Sequence, residues 1–248
     1  MQSNIQASCL LSTAYMPPVE YFAAMANSDK VLVEKCEMFQ KQSYRTRCHI
    51  YSANGLLALT VPVRRNTLDG TALQQPQTET PQTAGEEPRP SHKLFIDDIL
   101  IDYSKPWVQQ HERAIEAAYM TTPIYEYYKD DIFAILRSGE PSLFELNRKF
   151  IELFNELIGI STPIEYTAEW RAEYSDGGDA HSSDACGVLD LRNRIHPKYK
   201  GEDMLDVLQI KKPYWQVFSH KQGFIPNLSV LDLLCNEGPN SISFLKIL

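Results

Sequence analysis

Cysteine is scarce and scattered: Cys9, Cys36, Cys48, Cys186 and Cys235 are the five in a chain of 248 residues. They form no C-x-x-C pair and no Cys/His cluster with structural zinc spacing, so reduced, buried thiols are expected. Apolar runs never reach the roughly eighteen residues a membrane-spanning helix needs. No Lys or Arg precedes Lys30, so the positive n-region of a secretory leader is missing and a cytoplasmic location is expected. The motifs G-x-G-x-x-G, G-x-x-x-x-G-K-[ST], G-x-S-x-G and H-E-x-x-H are all absent. No cofactor and no metal is therefore expected. Positive charge is in deficit, 24 Lys+Arg against 32 Asp+Glu for a net −8. That balance argues against a nucleic-acid binder, which needs a basic face. It leaves room for a local cationic site.

The length suits one large domain of the usual order of 150 residues or somewhat more, and residues 1–248 are expected to form a single α/β unit. One stretch stands apart. Asn66 to His92 is rich in Pro, Gln, Thr and Glu with almost nothing apolar. It cannot bury enough surface to offset its ordering entropy and is expected to be a mobile, disordered insertion.

Periodicity supplies the elements. Ser8 to Tyr15 reads as a strand halted by Pro17-Pro18. Val19, Phe22, Ala23 and Ala26 fall on one helical stripe, and Val31-Leu32-Val33 is a second buried strand. Tyr44 to Tyr51 and Leu56 to Val63 flank Ala53-Asn54-Gly55, a hairpin signal. Leu94 to Ile101 is apolar enough for another strand. Pro106 opens a helix to about Met120, and a second covers Ile124 to Leu136. Ser142 and Glu145 make a capping box for a helix whose apolar stripe is Leu143, Leu146, Phe150, Phe154 and Leu157, stopped at Gly159. Ile164 to Trp170 looks like a strand. Ser229 with Asp232 forms a second box, for a helix that Gly238 ends, and Pro239 opens a last one. The whole reads as a mixed-sheet α/β domain with a helical centre, a Rossmann-like arrangement being one form of it.

Two polar clusters carry the candidate chemistry. If Lys41 to Ile50 is a strand, period two puts Arg45, Arg47, His49 and Tyr51 on one face. With Lys41 nearby they suit a phosphate or carboxylate, or else make a solvated outer face. Arg192, His196 and Lys198 could line an anionic pocket, with His196 trading a proton near neutral pH, or form a surface basic cluster. In the tail, Asn227, Ser229 and Asp232 stand at a helix N-terminus, where anion binding and plain capping both fit.

Leu11 to Phe22, Lys41 to Arg47, Tyr214 to Gln216 and Gly223 to Pro239 together resemble the WbqC-like family of bacterial proteins. The similarity spans nearly the whole chain, with Asn66 to His92 as an insertion. Ser12-Thr13-Ala14 stands where the commoner opening has a Gln-Pro pair before the tyrosine. The resemblance implies a role in O-antigen, lipopolysaccharide and related surface-glycan metabolism. The expected function is thus a transferase using a small anionic substrate or sugar nucleotide. Tyr15, Lys41, Arg45, Arg47, Arg192, Lys198, Gln216 and Asn227 are expected to bind it, with His196 or Asp232 as general base. A non-catalytic anion-binding protein is the alternative. A nucleotidylyl transferase is a further one, though no histidine precedes His49 to supply a phosphate site in the first turn.

Overall fold

The computed structural model describes residues 5–64, 94–171 and 187–247. Asn66 to His92 and Cys186 lie outside the described residues. Strand β1 (Ile5–Ser12), helix α1 (Val19–Ala26) and strand β2 (Ser28–Glu34) form a β-α-β unit whose strands pair in parallel. This start is what the fold shares with a Rossmann-like arrangement. All eight residues of α1 are buried, which its nearly continuous apolar sequence requires. Two short strands complete the sheet, β5 (Ile164–Tyr166) beside β2 and β6 (Val188–Asp190) beside β1, again in parallel. The order is β5-β2-β1-β6. Cys9, Leu10, Leu11, Val31 and Val33 are sealed from water, as expected for parallel strands covered on both faces.

The hairpin is a separate two-stranded antiparallel ribbon, β3 (Arg47–Ser52) with β4 (Gly55–Thr60). Gly55 takes φ +100° at its turn, a backbone that favours glycine. Arg45 lies in the turn before β3, so the expected shared face of Arg45, Arg47 and His49 does not begin until Arg47.

The centre is helical: α2 (Trp107–Tyr119), α3 (Tyr125–Arg137) and α4 (Leu143–Ile158). Leu143, Leu146, Phe150 and Phe154 of α4 are buried, while Leu157 only packs against the core from its margin. Ser142 Oγ accepts from the Glu145 amide at 3.3 Å. Glu145 does not reach back. Its carboxylate pairs with Arg148 at 2.8 Å, and the Ser142 amide turns to Glu140. Gly159 ends the helix at φ 78°.

Leu94 to Ile101 is not a strand. Ile96–Asp98 is a 3₁₀ turn, and only single bridges form at Phe95, Leu100 and Ile101. Ile96 and Ile99 are both fully buried, and a spacing of three suits a 3₁₀ turn rather than a pleat. The last part holds α5 (Met204–Val207), α6 (Ser219–Gln222), α7 (Val230–Glu237) and α8 (Ile242–Leu245), with a 3₁₀ turn at Gly238–Ser241 before α8. Among the described residues no helix is long and apolar enough to cross a membrane.

Candidate functional site

In open α/β sheets, ligands bind beyond the carboxyl ends of the strands, where the strand order changes direction. Here β1 is the switch: the chain leaves it for β2 on one side and returns to β6 on the other. The last residues of three neighbouring strands are polar: Ser12 of β1, Glu34 of β2 and Asp190 of β6. Thr167 follows β5 directly and donates to Glu34 Oε1 at 2.5 Å.

Two arginines close this edge. Arg192 donates from Nη1 to Glu34 Oε2 at 3.1 Å and from Nε to Asp190 Oδ1 at 3.0 Å. Arg45 Nε donates to Glu37 Oε1 at 2.8 Å and its Nη2 to the other oxygen of the same carboxylate. The same Nη2 donates to Ser12 Oγ at 2.8 Å. Ser12 Oγ lies 2.9 Å from Glu37 Oε2. The side chains of Arg45 and Glu37 are 4% and 5% exposed. Burial pushes the Glu37 carboxyl up, against the downward pull of Arg45 and Ser12. Both guanidinium groups are thus committed to carboxylates within the protein.

Beside this edge is a cationic lip built from two distant stretches. Arg47 opens β3, while His196 and Lys198 lie in the turns after β6. Lys198 Nζ donates to the Gln42 side chain, joining residues 156 apart in the chain. Among the described residues the Arg47 guanidinium has no hydrogen-bond or ion-pair partner, and its Nε is buried. Nε of Arg194 is likewise buried without a partner among the described residues, but its Nη2 donates to Glu202 O at 3.3 Å and its charge acts on Glu20. A buried donor left without an acceptor is costly, so such atoms ask for one. His196 is held below its ordinary range by burial and by the positive charges of Arg45, Lys198 and Arg47. Its Nδ1 accepts from the Lys198 amide at 3.1 Å. A neutral ring accepting at Nδ1 carries its proton on Nε2 and so presents a donor. His49 is lowered by burial and by Arg47. Lys41 sits exposed in the adjoining turn.

The other candidates lie elsewhere. Asp232 is 1% exposed, and its Oδ2 accepts from Tyr214 Oη at 2.7 Å and Gln216 Nε2 at 2.9 Å. Burial pushes its carboxyl up to about 6, against the hydrogen bonds of Tyr214, Gln216 and Tyr119. Gln216 also exchanges two bonds of 2.9 Å with the backbone of Ile225, pinning the 216–225 loop. Asn227 Oδ1 accepts from the Glu20 amide at 3.0 Å, and Leu228 O from the Val19 amide at 2.9 Å. They occupy the first amides of α1, where a nucleotidylyl transferase would bind phosphate. Tyr15 is fully buried, its hydroxyl 2.9 Å from His111 Nδ1. So Arg47, His196 and Lys198 come together with Arg45 behind them. Arg192 serves the acids at the sheet edge, while Asp232 and Gln216 form a second, closed cluster.

Sequence patterns did not single out Ser12, Thr13, Glu34, Glu37, Asp190 or Arg194. The available signal was position, since Ser12, Glu34 and Asp190 end parallel strands. Among the described residues no group of three or more His, Cys, Asp or Glu is placed to hold a metal ion.

The model of the WbqC-like protein family matches residues 13–87 and 86–244. The uncharacterized protein Rv1507c of Mycobacterium tuberculosis is 24% identical over 248 residues, covering 96% of each chain. No solved structure matches.

Proposed function

We propose that this chain, which belongs to the WbqC-like protein family, is a transferase that holds the anionic part of an activated donor at the lip of Arg47, His196 and Lys198. Its setting in this reading is bacterial surface-glycan metabolism, and its donors are nucleotide sugars or acyl-coenzyme A thioesters. The observation that carries the reading is the buried Nε of Arg47, without a partner among the described residues, beside a histidine that presents a donor and feels the charge of Arg47. Arg47 contributes a guanidinium fork free to take a phosphate. His196, neutral at pH 7, donates from Nε2. It serves as a base only after its ring turns and releases the Lys198 amide. Rate then comes from orientation and from neutralising the charge of the leaving group. Asp232 holds Tyr214 and Gln216 and supports the lip only at a distance.

The test is thermal shift against a panel of nucleotide sugars and acyl-coenzyme A thioesters. At about a hundred times Kd, a true donor adds about 2.7 kcal/mol, several degrees in Tm. Wild type is expected to respond and Arg47→Ala to lose the response with an unchanged baseline. Silence across the panel contradicts the proposal. The engagement of both arginines behind the lip favours one second reading, a binding protein without chemistry. Ligand-induced stabilisation with no turnover of any bound donor would support it.

A further inference from the structure

The lip carries no free nucleophile, but Ser12, beside Arg45 just behind it, has the partners of one. We infer that Ser12 is the nucleophile of an acyl-transfer centre at the carboxyl end of β1, with Glu37 as its base and Arg45 as the residue that orients Glu37. Ser12 is partly exposed at the switch point of the sheet. Its Oγ lies 2.9 Å from Glu37 Oε2 and accepts from Arg45 Nη2 at 2.8 Å. The one Oγ proton is shared between Glu37 Oε2 and the Arg192 carbonyl, 3.2 Å away, and one lone pair goes to Arg45, which leaves the second lone pair of Oγ for attack. Glu37 is fixed by two bonds from Arg45, whose own backbone carbonyl accepts from Asn147 Nδ2 at 2.9 Å. Nucleophile, base and orienter thus stand in the relation that covalent catalysis requires.

A second, independent observation marks where the developing charge would go. A cavity of about 10 Å³ opens among Ser12, Thr13, Ala14, Tyr44, Arg45 and Ile195. That is room for one oxygen-sized group. Thr13 is 1% exposed, and its Oγ1 has no partner among the described residues. A buried hydroxyl without an acceptor, next to a nucleophile and an arginine, is suited to an oxyanion. An acyl carbon bound at Ser12 would put its oxygen there, which favours an ester or thioester over a bulkier phosphoryl centre.

The step balances without an oxidant or reductant. The Oγ–C bond forms as the Oγ proton passes to Glu37 Oε2. The tetrahedral oxyanion collapses, the bond from carbon to the leaving group breaks, and the departing thiolate or alkoxide takes that proton from Glu37. An acceptor hydroxyl or amine attacks the acyl-serine in turn, and its proton returns through Glu37 to Ser12 Oγ.

This deepens the proposed donor reading by naming an acyl donor, and it rests on that reading for the donor alone. The full chain is therefore probed with p-nitrophenyl acetate, an uncharged ester whose reaction does not call on the lip. Wild type is expected to release one equivalent of p-nitrophenolate in a burst and to gain one acetyl group on the peptide bearing Ser12. Ser12→Ala is expected to lose both. Ser12→Cys is expected to take the acetyl as a hydroxylamine-sensitive thioester, which covers a Ser12→Ala chain that fails to fold. Glu37→Gln is expected to slow the burst about a hundredfold or more. Cooperatively folded wild type that gains no acetyl, or gains it at another residue, overturns the assignment. So does a folded Ser12→Ala that is acetylated as fast as wild type.

Discussion

Arg45 and Arg47 stand two residues apart and live in different environments. Arg45 is buried against Glu37, so Arg45→Ala leaves a buried carboxylate whose one remaining hydrogen-bond partner among the described residues is Ser12. Breaking such a pair costs about 3–5 kcal/mol. Denaturant unfolding should register that loss. Among the described residues Arg47 has no partner to lose, and Arg47→Ala should change stability by no more than about 1 kcal/mol while abolishing anion binding. Two other buried groups oppose each other in pH. Asp232 is raised by burial from 3.8 to about 6, so its contribution is complete below the unfolded value and is lost as pH rises through about 6. His111 is lowered by burial from 6.5 to about 4, so its contribution is complete above the unfolded value and is lost as pH falls towards 4. Each window is worth about 3 kcal/mol. Relative to wild type, Asp232→Asn should therefore gain stability between pH 4 and 6 as pH rises. His111→Gln should gain it between pH 6.5 and 4 as pH falls. Melting curves across that range would show opposite trends, and parallel curves would contradict both assignments.

At the scale of the element, local chemistry was readable wherever the residues that set it are neighbours in the chain. Helix α1 was found to the residue, and α2, α3 and α4 to within one or two, because proline, serine and glycine punctuate them. Ser142→Ala should cost about 1 kcal/mol through loss of its bond to the Glu145 amide. Gly159→Ala should cost a similar amount, about 1 kcal/mol, because φ there is 78°. Both are measurable as shifts in denaturant midpoint. What failed was decided from far away. Leu94 to Ile101 has strand composition, yet its partners are single residues of other segments, Met38, Val63 and Ser142. The two capping boxes are half-made, the first for a reason three residues away and the second for one farther off. Glu145 prefers Arg148, and Asp232 is claimed by Tyr214 and Gln216.

For the molecule as a whole, the candidate site was legible as residue types and much less so as geometry. Basic side chains near residues 45 and 195 could be picked out, but a string of letters does not show which of them already has a carboxylate. Glu34, Glu37 and Asp190 neutralise Arg45 and Arg192, and only the parallel register of β1, β2 and β6 brings these acids together. The lip is what remains unneutralised. Its existence depends on the start of β3 and the turns after β6 meeting in space. The histidine ring at their junction reports that meeting directly. Its titration can be followed by NMR in wild type and in Arg47→Ala, with and without inorganic pyrophosphate, using a His196→Gln spectrum to identify the resonance. The account predicts that His196 titrates below its ordinary 6.5, moves up in Arg47→Ala, and moves up on adding pyrophosphate only where Arg47 is present. A His196 that titrates at the ordinary value and responds to neither the substitution nor the anion would contradict it.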